Sequence, residues 1–309
     1  MHIVILDADT LKLPQSEYQK LEKIGSYELY KSTHSDQIID RAYNADAIIT
    51  NKAQINSKHM DQLPNLKYIG ITATGVDNID TQAAQQRGIT VTNVPAYSTY
   101  SVAQLTIGLL LNISHQIGPH NDAVKQGDWA AQEHFSFWQH PLMELANLNI
   151  GLVGFGAIGQ KVAEIAHALG LNILIFNRTP SKVKAPYKAA SWEELLQNSD
   201  IISLHCPLTE QTRHCINRDS LNMIKSGAIL LNTSRGGLID EQALYDALTQ
   251  GSLYAAGLDV MEAEPPQADN PLLSLDNCFI TPHIGWATLE ARQRLWEQVV
   301  NNLISFNSP

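Results

Sequence analysis

Cysteine is scarce: Cys206, Cys215 and Cys278 are the only three in 309 residues, odd in number and too few for a disulfide framework. That usage points to a reducing compartment, the cytoplasm. Long apolar runs are missing too, with nowhere the roughly 18 consecutive apolar residues that a membrane span requires. The opening stretch "MHIVILDADT" lacks the basic region, extended apolar segment and small-residue cleavage site of an export signal, so none is expected. Lys and Arg number 21 against 31 Asp and Glu, a formal net charge of -10, and form no run that would track a phosphate backbone. The balance argues against nucleic acid as a partner. No internal repeat or low-complexity tract is present.

What the chain does contain is short apolar, β-branched runs alternating with helix-compatible stretches, the pattern of an α/β protein with helix-covered parallel sheets. Its length allows about two domains of roughly 150 residues each. "HIVILD", "YELYK", "DAIIT", "LKYIGIT" and "ITVTNV" read as one open sheet of about five strands. A long connecting helix follows from about Ser98, with its apolar periodicity interrupted at Gly118 and Pro119. After the aromatic segment "DWAAQEHFSFWQHPLMELAN", a second series ("NIGLVG", "NILIFN", "DIISLHC", "AILLNTS", "AAGLDV", "CFITP") predicts a second sheet of about six strands. Residues 287 to 306 predict a last amphipathic helix.

The second series opens on "GLVGFGAIGQ", a GxGxxG spacing between a strand and a helix. Gly154 would end the strand in a tight turn, Gly156 would admit a pyrophosphate to the backbone, and Gly159 would let the helix pack on the strand. Free N–H groups and the positive end of the helix beginning near Ala157 would hold the phosphates. Glycines at those offsets also occur in ordinary turns; the strand-to-helix context is what favours a dinucleotide. Near Asn177, where NAD enzymes usually carry an acidic group for the ribose, none is found, and Arg178 beside it is suited either to a 2′-phosphate or to plain solvation. NAD(P) is therefore the cofactor expected, with NADP at least tolerated.

Three further strand ends carry charged side chains: "LLNTSRGGLID" delivers Arg235, "GLDVMEAEP" delivers Asp259 and Glu264, and "FITPHIGWAT" delivers His283. Carbonyl reduction beside a nicotinamide needs a proton donor, a cation and anchors for the substrate, and carboxyl ends of parallel strands are where open α/β sheets place ligands. The pairs His205, Cys206 and His214, Cys215 do not have zinc-site spacing, because adjacent residues on a strand point to opposite faces. No metal is expected.

These motifs, with "HCPLTEQT", "INRDSLNMIKSGAILLNTSRGGLIDEQAL" and "TPHIGWAT" in order and spacing, resemble the D-isomer-specific 2-hydroxyacid dehydrogenases over essentially the whole chain. "FWQHPLMEL" and the tryptophan of "HIGWAT" resemble the glycerate dehydrogenase (hydroxypyruvate reductase) branch. The resemblance implies two doubly wound parallel-sheet domains, Rossmann-like and flavodoxin-like, with a cleft between them. It implies a discontinuous substrate-binding domain over 1–97 and 285–309, and a dinucleotide-binding domain over 98–284. His283 would exchange a proton with the substrate oxygen, Glu264 would fix its tautomer and favour the imidazolium, and Arg235 would hold the 2-oxo acid. Cofactor contacts would come from Gly154, Phe155, Gly156, Ala157, Ile158, Gly159, Asn177, Arg178, Thr179, Cys206, Pro207, Thr212, Thr233, Ser234 and Gly285. Asp259 would orient the nicotinamide carboxamide. Substrate contacts would come from Thr74 and Gly75, together with Arg235 and His283; Lys52 is either an additional carboxylate partner or a solvated residue after its strand, and Trp286 is either a wall of the substrate pocket or a packing residue of the last helix.

The implied reaction is NAD(P)H-dependent reduction of a small 2-oxo acid, hydroxypyruvate to D-glycerate, with glyoxylate as a second substrate. The implied assembly is a homodimer formed through the region of Phe135, Phe137 and Trp138. The short stretch after His283 leaves no room for the regulatory domain of many phosphoglycerate dehydrogenases, and Glu264 stands where the formate-oxidising branch has glutamine. Three residues depart from the family: Ala96 and Gln104 replace the usual glycine and glutamate, and Tyr100 replaces a common acidic residue, all on the hinge side. A corepressor-like NAD(H) sensor on the same fold is the alternative. No disordered peptide-recruiting tail supports it.

Overall fold

The structure, a computed structural model, describes residues 1–308. The chain divides into two compact units, one formed by Met1–Ser98 with the segment from Trp286 onward, the other by Thr99–Gly285.

In the first unit, β1 (His2–Ile5), β2 (Ser26–Leu29), β3 (Ala47–Thr50), β4 (Tyr68–Ile71) and β5 (Thr90–Thr92) form an all-parallel sheet in the order β2-β1-β3-β4-β5. The runs "AIIT" and "YIGI" are buried throughout, as expected for parallel strands covered on both faces. The helix Leu289–Asn307 returns to this unit, its start capped by the Thr288 hydroxyl, which accepts the Ala291 N–H. Leu295, Val299 and Leu303 recur every four residues on its buried face. Trp296 is fully buried there, meeting Tyr18 edge-on at 5.0 Å and donating its indole N–H to the Glu17 carbonyl at 2.9 Å.

In the second unit the strands are β6 (Asn149–Val153), β7 (Asn172–Phe176), β8 (Lys188–Ala189), β9 (Ile201–Leu204), β10 (Ala228–Asn232), β11 (Leu253–Leu258) and β12 (Cys278–Ile280). They form one parallel sheet in the order β12-β11-β10-β9-β6-β7-β8. The chain winds outward from β6 in one direction through β7 and β8, then resumes on the other side at β9. The β6/β9 junction is the switch point at which doubly wound sheets bind ligands. This sheet has seven strands, one more than the sequence predicts, because the two-residue edge strand β8 is too short to show periodicity.

The connecting helix also departs from expectation. Helix Thr99–His115 ends one residue before Gln116, which adopts a left-handed conformation (φ 50°), and a second helix runs over Ile117–Gln126. Gly118 and Pro119 do not break the chain; they sit in the first turn of the second helix, where proline forfeits no intrahelical bond. Beyond it, Phe135 is 91% exposed and Trp138 67% exposed. Among the described residues no helix is long and apolar enough to cross a membrane.

Candidate active site

The turn after β6 is shaped by contacts only glycine permits. Gly154 has φ 100°, and a Cβ there would lie 2.6 Å from the His205 carbonyl oxygen, so the turn packs directly on the chain leaving β9. A Cβ on Gly159 would collide with the Gly154 carbonyl oxygen, which is how the helix Ala157–Ala168 approaches its own strand so closely. Gly156 differs from both: a Cβ there meets nothing within 4 Å. No side chain caps this helix, whereas Ser191, Asn217, Asp240 and Thr288 cap four others. Uncapped first-turn N–H groups beneath an open, exposed glycine, with Ala157 also exposed, fit the pyrophosphate of a dinucleotide. Phe155 and Ile158 turn inward onto the core.

The neighbouring strand ends complete this edge. After β7, the Asn177 side-chain amide donates to the Thr179 carbonyl at 3.0 Å, closing a turn that carries Arg178. No carboxylate lies between Asn177 and Lys184, while Arg178, Lys182 and Lys184 do. After β9, Cys206 offers its carbonyl to the Ser234 hydroxyl at 2.8 Å, and Pro207 offers its own to Thr212 at 2.7 Å. Thr233 is buried, and its hydroxyl pairs with that of Thr106 at 2.8 Å. Burial pulls the His205 imidazole down to about 4. The thiols of Cys206 and Cys215 interact, and that contact, followed by burial, pushes Cys206 up.

Arg235, Asp259 with Glu264, and His283 leave β10, β11 and β12, three adjacent parallel strands. Half-buried Arg235 donates Nη1 to the Ser234 carbonyl at 2.9 Å. The next residue, Gly236, has no room for a Cβ because the backbone of Met261 and Glu262 lies against it, and this contact docks the Arg235 turn on the loop carrying Glu264. His283 Nδ1 and Glu264 Oε2 are 2.6 Å apart, and Glu264 Oε1 accepts the Met261 N–H at 3.3 Å. With Nδ1 engaged, Nε2 is the ring atom left for proton exchange.

His283 itself has φ 53°, a conformation non-glycine residues rarely adopt. The turn is held by Asp259, which accepts the Thr281 hydroxyl at 2.6 Å and the N–H groups of Ile284 and Gly285 at 2.8 and 2.7 Å. Burial raises the Asp259 pKa, and these three bonds oppose the rise. The resemblance assigns Asp259 to the nicotinamide carboxamide, and its bracing of the His283 turn is seen only in the folded chain.

In the first unit, Lys52 follows β3 with its side chain exposed, and Thr74 and Gly75 follow β4. The Thr74 hydroxyl donates to the Val94 carbonyl at 3.0 Å, and its own carbonyl accepts the Asn93 amide at 2.6 Å. Trp286 is partly buried against this unit's core. Sequence reasoning also missed buried Asp7, which accepts bonds from the Lys52 segment. Among the described residues no group of His, Cys, Asp or Glu could hold a metal ion.

Comparison with known proteins agrees with this geometry. Residues 107–285 match the model of the D-isomer specific 2-hydroxyacid dehydrogenase NAD binding domain. The chain is 42% identical to a hydroxypyruvate reductase of Blautia hydrogenotrophica, covering 99% of this chain and 97% of that one. It is 36% identical to a glycerate dehydrogenase of Methylorubrum extorquens over 98% and 95% of the two chains. Among solved structures, an acyclic imino acid reductase in complex with NADPH and D-Arg superposes with a TM-score of 0.88 at 32% identity, covering 99% of this chain and 97% of that one. An uncapped glycine turn at the switch point and a histidine–carboxylate pair at the carboxyl end of the same sheet thus accompany near full-length similarity, and the chain belongs to the D-isomer-specific 2-hydroxyacid dehydrogenases.

Proposed function

We propose that this dehydrogenase reduces hydroxypyruvate to D-glycerate, accepts glyoxylate as a second substrate, and prefers NADPH. The observation that carries the reading is the 2.6 Å contact of His283 with Glu264, in a chain whose similar relatives are named hydroxypyruvate reductase and glycerate dehydrogenase. When bound, the reduced nicotinamide supplies a hydride to the substrate carbonyl carbon. His283 gives its Nε2 proton to the carbonyl oxygen and recovers one from solvent. Glu264 keeps the ring in the tautomer that protonates Nδ1 and offsets the positive charge the ring carries before transfer. Arg235 holds the carbonyl and carboxylate oxygens with a planar set of donors, which draws electron density from the reacting carbon.

Lys52 and the backbone N–H groups at Thr74 and Gly75 take the carboxylate, and Trp286 bounds the small substrate. Asp259 keeps the His283 turn in place and presents the nicotinamide carboxamide with an acceptor. Preference for NADPH is supported by Arg178, Lys182 and Lys184 following β7 where no carboxylate stands to bind a free 2′-hydroxyl. Exposed Phe135 and Trp138 support a homodimer, and the three free cysteines fit the cytoplasm.

Steady-state oxidation of NADPH and NADH with hydroxypyruvate, glyoxylate, pyruvate and a bulky aromatic 2-oxo acid tests the assignment. Highest kcat/KM with NADPH and hydroxypyruvate is expected, whereas a higher value for the aromatic acid overturns the substrate and a higher value with NADH overturns the cofactor. Light scattering of the eluted protein at twice the monomer mass of 34.1 kDa is the expected sign of the dimer.

A further inference from the structure

Asp7 lies just beyond β1 and is 7% exposed, a costly place for a carboxylate unless donors surround it. Its Oδ1 and Oδ2 accept the Asn51 N–H at 2.8 and 2.9 Å. Oδ2 also accepts the N–H of Lys52 at 2.7 Å, the N–H of Ala53 at 3.2 Å and the Thr50 hydroxyl at 3.0 Å. Three consecutive backbone donors thus converge on one anion, at the point where the chain leaves β3. The Asn51 side chain extends the clamp by donating to the Thr72 carbonyl at 2.6 Å, two residues before Thr74. Asn78 closes the far side, donating to the Ala53 carbonyl at 3.1 Å. The backbone of Lys52 is therefore fixed while its side chain stays exposed.

We propose that Asp7 is a positioning residue for the reaction: it fixes the Thr50–Ala53 segment so that Lys52 meets the substrate carboxylate in one geometry. The proposal rests on the reading of Lys52 as a carboxylate partner. A turn that served the fold alone would need only its donors satisfied. Here the donors belong to the one segment that carries an exposed cation next to a second loop assigned to the same substrate group.

The test is a double-mutant cycle on the full chain with Asp7→Asn, Lys52→Ala and the pair, measuring kcat and KM for hydroxypyruvate, NADPH affinity and melting temperature. Asparagine keeps one acceptor oxygen and turns an amide NH2 toward backbone N–H groups, so part of the clamp is lost. Asp7→Asn is expected to raise KM about 10-fold, with kcat changed less than about 3-fold and NADPH affinity unchanged, because loss of a binding contact made equally in ground and transition states appears in KM. In the Lys52→Ala background the same change should add no more than about 2-fold, the mark of two residues acting through one interaction. Independent, multiplying effects overturn the positioning role, as does an unchanged KM in folded Asp7→Asn. A normal KM in Lys52→Ala overturns the underlying reading of Lys52 instead, so the two failures are distinguishable. Should Asp7→Asn not fold, Thr50→Val removes one donor and leaves the backbone three; it should raise KM about 3-fold in the native background and not in Lys52→Ala, and any other result overturns the role.

Discussion

Replacing Gly156 by alanine separates binding from folding at a single methyl group. The backbone at Gly156 (φ -77°, ψ -168°) is one that alanine adopts without strain, and the added Cβ meets no protein atom within 4 Å. Restricting the unfolded chain gains about 0.4 to 1 kcal/mol, and alanine's poorer fit at a helix start takes back a few tenths or more. Melting temperature should therefore stay close to that of the native protein. The cofactor experiences the change differently. A methyl group over the first turn would lift a phosphate off the helix N–H groups, and losing one hydrogen bond to a charged group costs about 1.5 to 3 kcal/mol. That corresponds to roughly a 10- to 100-fold rise in the NADPH dissociation constant. Titration by nicotinamide fluorescence, with calorimetry on the same sample, reads both quantities. Gly154→Ala supplies the contrast, since its Cβ would strike the His205 carbonyl at 2.6 Å and the fold itself should weaken. Native NADPH affinity in stably folded Gly156→Ala would refute the placement of the pyrophosphate.

His283→Ala should lower kcat by about 10²- to 10⁴-fold with NADPH affinity near native; steady-state rates and fluorescence titration decide this, and unchanged turnover removes the proton-transfer role. His205 carries a pH signature: folded, it stays neutral down to about pH 4, whereas unfolded it takes a proton near 6.5. Between those values the unfolded state holds the extra proton, so stability falls as pH falls through the window, by at most about 3 kcal/mol because the residue keeps some solvent contact. Urea melts between pH 7 and 4 should show that decline, and His205→Gln should flatten it. Ala96 has φ 61°, so Ala96→Gly should relieve left-handed strain of about 1 to 2 kcal/mol, of which the freer unfolded chain takes back about 0.4 to 1 kcal/mol; the remainder should raise the melting temperature by about 1 °C, and a lower melting temperature would show that the loop tolerates alanine better than glycine.

What the sequence makes legible here depends on how local the cause is. The three inner strands of the first sheet, β1, β3 and β4, are buried runs whose neighbours on both faces are apolar, and that requirement is written in the run itself; the edge strands β2 and β5 are only partly buried and read from their alternation. Arg235, Glu264 and His283 are legible because each follows such a run by a few residues in a characteristic motif. Gln116 shows the opposite case. Gly118 and Pro119 are strong punctuation, yet the helix ends earlier at a glutamine with no local mark, and the first turn of the next helix absorbs the proline. The bracing contacts are illegible for a related reason. Asp7 meets residues 44 to 46 positions away, and Asp259 meets the His283 turn 25 and 26 positions away, both through backbone N–H groups. A pattern of side chains marks the candidate site residues, while the geometry that holds them comes largely from backbone donors without identity. The left-handed φ of His283 follows from this: nothing in "TPHIGW" calls for it, and three bonds to a buried carboxylate hold it there.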